Sequence, residues 1–169
     1  MVLKDVEPGH VATVFPAFEE MGCQINTWKN ELLVSAPARL RRVRTVRTMP
    51  YPGFPTDCQA LLMAMACVAD GTSVFIENIF ESRYKHAGEL MRLGAKIKVE
   101  GRVAVVEGVP VLSGAPVKCT DLRGGAALVV AALAAEGRTE IHDLHHLDRG
   151  YENLEESLAQ TGAVIRRQS

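Results

Sequence analysis

The chain has 169 residues, 47% of them hydrophobic, and a net charge of -1 at pH 7. This length and composition fit one ordinary domain with a buried core. Basic and acidic residues are interspersed, and aromatic residues make up only 5% of the chain. The sequence therefore offers neither a polyanion-binding surface nor a platform for base stacking, and nucleic-acid binding is not expected.

The sequence predicts a cytosolic protein that does not bind a membrane. The apolar runs reach about ten residues, which is too short to span a bilayer, and residues 1–10 lack the apolar core of a signal peptide. The cysteines show no C-x-x-C spacing. We therefore expect reduced thiols, and no zinc site, from Cys23, Cys58, Cys67 and Cys119.

Residues 1–44 predict an incomplete first repeat. They contain one helix, interrupted or started by Pro16, and strands near Gln24 to Trp28 and Glu31 to Val34. Nothing before this helix resembles the capped apolar helix that opens the later repeats. We therefore expect the chain to start in the middle of a repeat and to be a piece of a longer protein.

Residues 45–110 predict a second repeat, which opens with an apolar helix. Thr56 or Asp57 is expected to cap it, and the spacing from Thr56 to Gln59 fits a capping box. Ten consecutive apolar residues follow, so the helix should be buried on all sides, and Gly71 should end it. The remainder is predicted as strand, amphipathic helix, strand and strand, over Thr72–Glu77, Arg83–Leu93, Ala95–Glu100 and Val103–Glu107.

Residues 111–169 predict a third repeat of the same form, with a strand from Pro116 to Cys119 before its apolar helix. Glycines that close equivalent helices recur at spacings of 72 and 68 residues, which indicates repeated supersecondary units: Gly22, Gly94 and Gly162. Each full repeat is thus predicted as a unit of strand, helix, strand, helix, strand and strand. Helices covered by sheets define an α/β class. Because two helices are apolar all round, we expect helices at the centre and sheets outside, as part of an inside-out α/β barrel.

Three arginines are predicted at helix starts. Arg123 lies in the first turn of the third-repeat helix, where the positive end of the helix dipole repels a cation. Arg83 and Arg149 occupy similar places in their helices. An anion held at the helix N-terminus would explain such a placement. The alternative is that each arginine pairs with a nearby acid, such as Asp121 for Arg123.

The acids at helix starts have two candidate roles. Asp57 and Asp121 are each expected to cap a helix, and either could instead accept a proton from a hydroxyl if it faced a cleft. Asp148 is predicted as the N-cap of the last helix.

The histidines do not predict a metal site. A cluster in the third repeat, His142, His145 and His146, matches no common ligand spacing. The sequence also contains no glycine-rich phosphate loop with its lysine and no nucleophile elbow.

Four segments together carry a family resemblance. In chain order they are PYPGFPTDCQA, NIFESRYKHAGELMRLGA, LSGAPVKCTDLRGGAALVVAALAAEG and HHLDRGYENLEESLAQTGA. They resemble the UDP-N-acetylglucosamine enolpyruvyl transferases, whose two domains are each an inside-out α/β barrel of three repeats. The sister family that acts on shikimate 3-phosphate would be expected to show a Lys-Glu-Ser-Asp-Arg type segment where this chain has HLDRGYE, which favours the UDP-sugar branch.

The resemblance implies transfer of an enolpyruvyl group from phosphoenolpyruvate to the 3-hydroxyl of UDP-N-acetylglucosamine, with release of phosphate. This step leads to peptidoglycan and needs no metal or cofactor. By the same resemblance, Asp57 hydrogen-bonds the hydroxyl and acts as its base, and Ile79 contacts the UDP-sugar through its backbone. Arg123 and Arg149 would handle the anionic phosphoenolpyruvate and the developing charge. Arg83 matches another arginine of the cleft.

The chain also departs from the family pattern. The cysteine-bearing mobile loop and the lysine near the family's N-terminus have no match here, and none of the four cysteines takes that role. We therefore expect a C-terminal portion that forms one wall of a cleft and is inactive without the missing domain, since catalysis needs groups from both walls. The alternative is a non-catalytic module that keeps the fold and residual UDP-sugar or anion binding.

An incomplete repeat predicts self-association. It should leave a sheet edge and apolar helix surface uncovered. Light scattering of the purified chain should therefore show oligomers or poor solubility. A monodisperse monomer would contradict this expectation.

Overall fold

The computed structural model describes residues 1–168. Its helices are α1 (Phe15–Glu20), α2 (Thr56–Ala66), α3 (Lys85–Arg92), α4 (Leu122–Ala134), α5 (His145–Asp148) and α6 (Leu154–Ala159). Its strands are β1 (Val2–Lys4), β2 (Gln24–Trp28), β3 (Glu31–Ser35), β4 (Thr45–Arg47), β5 (Thr72–Ile76), β6 (Lys96–Glu100), β7 (Val103–Glu107), β8 (Leu112–Ser113), β9 (Pro116–Lys118), β10 (Ala135–Glu136) and β11 (Glu140–His142). Within this part of the chain, no helix is both long and apolar enough to cross a membrane.

Short sheets lie outside a layer of helices. A four-stranded sheet has the order β4-β5-β7-β6, in which β4 runs parallel to β5 and the other pairs are antiparallel. An antiparallel sheet of order β1-β3-β2 lies earlier in the chain. Two further ladders are parallel and pair β9 with β11 and β8 with β10. Alternation along β5 buries Ser73 and Phe75, so that this face of the sheet covers the helices.

The helices α2 and α4 form the centre of the core. They pack against each other, and Leu62 and Met63 of α2 and Ala127 and Leu128 of α4 are almost completely buried. Phe75 belongs to the same core cluster. Because these helices are apolar nearly all round, they are stable only where other elements enclose them.

The predicted α/β class is confirmed. From residue 45 to residue 107 the elements follow the predicted order of strand, helix, strand, helix, strand and strand, as β4, α2, β5, α3, β6 and β7. The division of the chain into repeats at residues 44 and 110 remains a prediction.

The end of α2 differs from the prediction. The helix ends at Ala66, before Gly71, which has a positive φ of 105° in the turn that leads into β5. The Cys67 carbonyl accepts a hydrogen bond of 2.7 Å from the Val109 amide, and the Asp70 amide donates at 2.7 Å to the Leu40 carbonyl. These long-range bonds replace the next helical turn, and sequence periodicity does not reveal them.

The predicted N-cap of the last helix is wrong. Asp148 is the last residue of α5, and α6 begins only after Asn153, which has a positive φ of 45°. Leu147 is buried against α4, and this contact favours a separate helical turn around it. The Asp148 carboxylate instead accepts a hydrogen bond of 2.6 Å from Arg167.

Two glycines provide a matched test of this packing. A Cβ on Gly108 would overlap the Ala69 carbonyl, whereas a Cβ on Gly88, inside α3, would meet no atom within 4 Å. Gly108→Ala should therefore lower the free energy of unfolding by more than about 2 kcal/mol. Gly88→Ala should raise it by about 0.5–1 kcal/mol, because alanine favours the helix.

Urea unfolding followed by circular dichroism measures both glycine variants. A Gly108→Ala protein as stable as the wild type would contradict the close approach of the two backbone segments.

Candidate functional site

The start of α2 leaves Asp57 available for contacts outside its own helix. The N-cap position is Pro55, which has no side-chain cap, and Asp57 lies in the first turn. The Thr56 hydroxyl donates to a carboxylate oxygen of Glu77 at 2.8 Å. The predicted capping role of Thr56 or Asp57, and the capping box with Gln59, are therefore wrong, because a distant acid takes the Thr56 hydroxyl.

The start of α4 is capped as predicted. Asp121 is the N-cap, and its Oδ1 accepts hydrogen bonds from the amides of Arg123 at 3.0 Å and Gly124 at 2.9 Å. Burial alone would raise the pKa of Asp121, but the hydrogen bonds from these amides outweigh it and lower the pKa. Asp121 is thus a structural cap, which leaves Arg123 to find another partner.

Asp57 lies between two arginines where the helices meet. Arg123 donates through its Nε to the Asp57 carboxylate, and an Nη of Arg83 lies 3.7 Å from the same carboxylate. The hydrogen bond to Asp57 raises the pKa of Arg123. The structure therefore brings together three predicted site residues, and it pairs Arg123 with Asp57, not with Asp121.

The cluster is open to solvent on one side. The Asp57 side chain is 62% exposed, against 34% for Arg123 and 21% for Arg83. The Arg83 guanidinium also lies over the Phe80 ring, 4.1 Å from its centroid, which holds the cation by a cation–π contact. The site therefore combines two arginine side chains, which are fixed by their contacts, with one carboxylate that a ligand can reach.

Arg149 lies apart from this ion-pair cluster. It follows the last residue of α5 and is exposed, and its guanidinium makes no ion pair within residues 1–168. The expectation that Arg149 opposes a helix dipole is wrong, because it lies at a helix C-terminus, where a cation is favoured.

Ile79 lies in the loop between β5 and α3. It is half-buried, and its amide donates to a carboxylate oxygen of Glu77 at 2.8 Å. Asp57 is linked to the same acid through its neighbour Thr56, whose hydroxyl donates to the other carboxylate oxygen. The structure therefore joins the Ile79 loop to the start of α2 through Glu77.

Sequence reasoning missed two residues at this site. Glu77 directly follows an apolar strand, where an acid stands out, but its distant partners could not be read from the sequence. Tyr151 is half-buried near the cluster: burial and the charges of Cys58 and Asp57 raise its pKa, while Arg123 acts in the opposite direction. The only signal for Tyr151 was its place in the HHLDRGYE segment.

Other titratable groups offer no metal site or activated thiol. In the described range, no group of three or more His, Cys, Asp or Glu side chains could hold a metal ion. The four cysteines are free thiols. Burial raises the pKa of Cys67 to about 12 and that of Cys119 to about 11, and burial with the charge of Asp57 raises that of Cys58. All three thiols stay protonated at neutral pH.

His86 lies beneath the start of α4. It is 1% exposed, and a Cβ on Gly124 would lie 3.0 Å from its Cβ. Burial lowers the pKa of His86 to about 4, against a smaller opposing effect from the charge of Asp121. His86 is therefore neutral at pH 7, directly under the helix that carries Arg123.

Solved structures define the class of fold. The enolpyruvyl transferase NikO from Streptomyces tendae matches 94% of this chain and 36% of its own, with a TM-score of 0.84 and 34% identity. EPSP synthase from Acinetobacter baumannii matches 87% of this chain and 37% of its own at a TM-score of 0.58 and 21% identity, which supports the fold alone. The architecture is the α/β enolpyruvyl transferase fold, as the sequence predicted.

Sequence relatives define the family. A family model described as EPSP synthase (3-phosphoshikimate 1-carboxyvinyltransferase) matches residues 1–158, and the chain belongs to this family. A protein of Symbiobacterium thermophilum named UDP-N-acetylglucosamine 1-carboxyvinyltransferase 1 is 51% identical over 99% of this chain and 38% of its own length. A protein of Desulfofundulus thermocisternus named UDP-N-acetylglucosamine 1-carboxyvinyltransferase is 51% identical over 99% of this chain and 68% of its own.

The relatives confirm the resemblance to the UDP-sugar branch. The chain spans 38% of the length of the Symbiobacterium relative, and 40% of that of a relative from Caldanaerobacter subterraneus at 52% identity. Most of the length of these two relatives therefore has no match in this chain.

Because His86 is buried and neutral, we expect the free energy of unfolding to fall on mild acidification. Its folded pKa of about 4 lies below the ordinary value of 6.5, so the unfolded chain binds the proton first as the pH falls. This group alone should lower the free energy of unfolding by about 2 kcal/mol between pH 7 and pH 5. Urea unfolding at both pH values should show a smaller difference for His86→Gln, and equal differences would exclude His86 as the source.

Proposed function

We propose that this chain forms a substrate-binding wall of an enzyme that transfers an enolpyruvyl group from phosphoenolpyruvate to the 3-hydroxyl of UDP-N-acetylglucosamine. The observation that carries the proposal is the Asp57 carboxylate between Arg83 and Arg123, where two helix starts meet. Relatives at 51% identity, which carry the name of this carboxyvinyl transfer, support the choice of substrates. The product is then a peptidoglycan precursor made in the cytoplasm, for cell-wall biogenesis, cell shape and division.

The proposed reaction balances without a cofactor. The 3-hydroxyl oxygen of the sugar forms a bond to C2 of phosphoenolpyruvate, and the bond from C2 to the phosphate oxygen breaks. Overall, the hydroxyl proton leaves with inorganic phosphate. In this proposal Asp57 first accepts a hydrogen bond from the hydroxyl and then takes its proton, because a carboxylate within hydrogen-bond reach can act as a general base.

Substrate binding in this scheme exchanges one ion pair for two new contacts. Arg123 leaves Asp57 and binds an anionic group of phosphoenolpyruvate, and the sugar hydroxyl takes its place at the carboxylate. Arg83, held over the Phe80 ring, supplies a second cation. Fixed cations that face developing charge stabilise a transition state more than mobile ones, since they need no reorganisation.

Arg149 lies outside the ion-pair cluster, and Ile79 is linked to it only through Glu77. Arg149 precedes Tyr151 by two residues, and the charges of Arg123 and Asp57 both affect the pKa of Tyr151, which supports a role for Arg149 beside bound phosphoenolpyruvate. The Ile79 amide is engaged by Glu77, so we assign its carbonyl as the backbone group that contacts the UDP-sugar.

Ligand binding and phosphate release test the proposal together. Calorimetry should show that Asp57→Asn weakens UDP-N-acetylglucosamine binding about 10- to 100-fold, because a hydrogen bond to a charged acceptor is lost. Asp70→Asn, which neutralises an acid of 77% side-chain exposure, is the matched control and should bind as the wild type does. Failure of a well-folded chain to bind the sugar nucleotide would contradict the proposal.

A turnover assay distinguishes the proposed enzyme from a non-catalytic binding module. The chain alone should release no phosphate from phosphoenolpyruvate, and addition of the other family domain should restore sugar-dependent release, which Arg123→Ala should abolish. Binding without any restored release would favour the non-catalytic module. Sugar-dependent release by the chain alone would show that one wall suffices.

A further inference from the structure

Glu77 carries a buried carboxylate that no step of the proposed reaction uses. It follows the last residue of β5, and its side chain is 1% exposed. Removing an ionised carboxylate from water is costly unless hydrogen bonds satisfy it. The position of Glu77 beside the candidate site therefore calls for an account of what its bonds achieve.

Four donors from three chain segments converge on this carboxylate. Its Oε1 accepts from the Thr48 hydroxyl at 2.8 Å, the Ile79 amide at 2.8 Å and the Phe80 amide at 3.1 Å. Its Oε2 accepts from the Thr56 hydroxyl at 2.8 Å. Thr48 follows β4, Thr56 begins α2, and the two amides belong to the loop after β5. One side chain thus ties the loop to two other elements.

The bonds favour the ionised form of Glu77. Burial alone would raise its pKa, but the hydrogen bonds from Thr48, Phe80, Thr56 and Ile79 outweigh burial and lower the pKa below its ordinary value. At neutral pH all the acceptor positions of the carboxylate are therefore available to the donors.

Two of the three bonded segments carry candidate ligand contacts. Thr56 immediately precedes Asp57, and the Ile79 amide belongs to the residue whose carbonyl faces the sugar in the proposed function. The Phe80 ring lies under the Arg83 guanidinium, 4.1 Å away. The backbone positions of all three contacts therefore depend on the same acid.

We propose that Glu77 is a positioning residue that sets the Ile79–Phe80 backbone and the start of α2 in one fixed arrangement for UDP-sugar binding. This inference rests on the proposed function. Glu77 itself touches no substrate in this scheme, and it acts through Thr56, Ile79 and Phe80. Preorganisation of this kind increases affinity, because the loop is ordered before the ligand arrives.

Glu77→Gln tests the inference with little change in shape. The neutral carbonyl oxygen of a glutamine is a weaker acceptor for the two amides than a carboxylate oxygen, and its NH₂ group can no longer accept from the Thr56 hydroxyl. Hydrogen exchange by NMR should show the Ile79 and Phe80 amides exchanging at least about tenfold faster, while the Phe75 and Val105 amides in the sheet stay unchanged. Uniform acceleration of all these amides, or no change at Ile79 and Phe80, would overturn the proposal.

Binding provides the second readout. Glu77→Gln should weaken UDP-N-acetylglucosamine binding about tenfold. Glu107→Gln, in an exposed acid at the far end of β7 that pairs with Lys96, should leave both exchange and binding unchanged. Wild-type affinity in Glu77→Gln would overturn the positioning role. If the wild-type chain binds no sugar nucleotide, the proposed function fails, and the positioning of the loop is decided by the exchange pattern alone.

Thr56→Val keeps the inference testable if Glu77→Gln does not fold. It removes only the bond between Glu77 and the start of α2. It should weaken sugar-nucleotide binding severalfold and leave the exchange of the Ile79 and Phe80 amides unchanged. Unchanged affinity would overturn the link from Glu77 to Asp57.

Discussion

The packing of α2 against α4 is the constraint on which the rest of the structure depends. Both helices are apolar on almost every side, and burial of a Leu or Met side chain stabilises the fold by roughly 1.5–3 kcal/mol. Neither helix can face water, so sheets must cover them from outside. With the two helices in contact, their first turns meet, which places Asp57 beside Arg123. The site is therefore a consequence of how the core is enclosed.

Of the two helix starts, only that of α4 has a side-chain cap, and this difference creates the site. At α4, Asp121 caps the helix and is engaged by backbone amides. At α2, the N-cap is Pro55, no side chain caps the helix, and the Thr56 hydroxyl donates to Glu77. The Asp57 side chain instead pairs with Arg123. The same Thr-Asp pair thus gives a structural acid at the start of α4 and an ion-paired, exposed acid at the start of α2.

The sequence predicts the elements of this fold better than their polar contacts. Alternation and apolar runs located strands such as Val103–Glu107 to the residue, because one face of each element must be buried. The capping box at Thr56 failed because Glu77, 21 residues away, competes for its hydroxyl. The dipole argument failed for Arg149 because a short helix formed one turn earlier, around the buried Leu147.

The same limit explains the mixed outcome at the candidate site. The sequence pointed to Asp57, Arg83 and Arg123, which the structure brings together, because residue type and position at a helix start are local features. Their mutual pairing depends on contacts between distant segments. The role of Glu77 could not be predicted for the same reason, because its hydrogen-bond partners lie in distant segments. A residue that organises a site through long-range hydrogen bonds leaves little trace in any local pattern.

The solvent exposure of the ion-pair cluster affects substrate binding and catalysis differently. Asp57 is 62% exposed, and water at its carboxylate screens the arginines beside it. At a separation of 4 Å two unit charges interact by about 1 kcal/mol in water and by about 4 kcal/mol at an effective dielectric constant of 20. Groups that only hold a substrate can work with the weaker interaction energy found in water. Stabilising the charge of a transition state requires the stronger interaction energy of a site from which water is excluded. The proposed reaction therefore needs a second surface that closes over Asp57 and excludes this water.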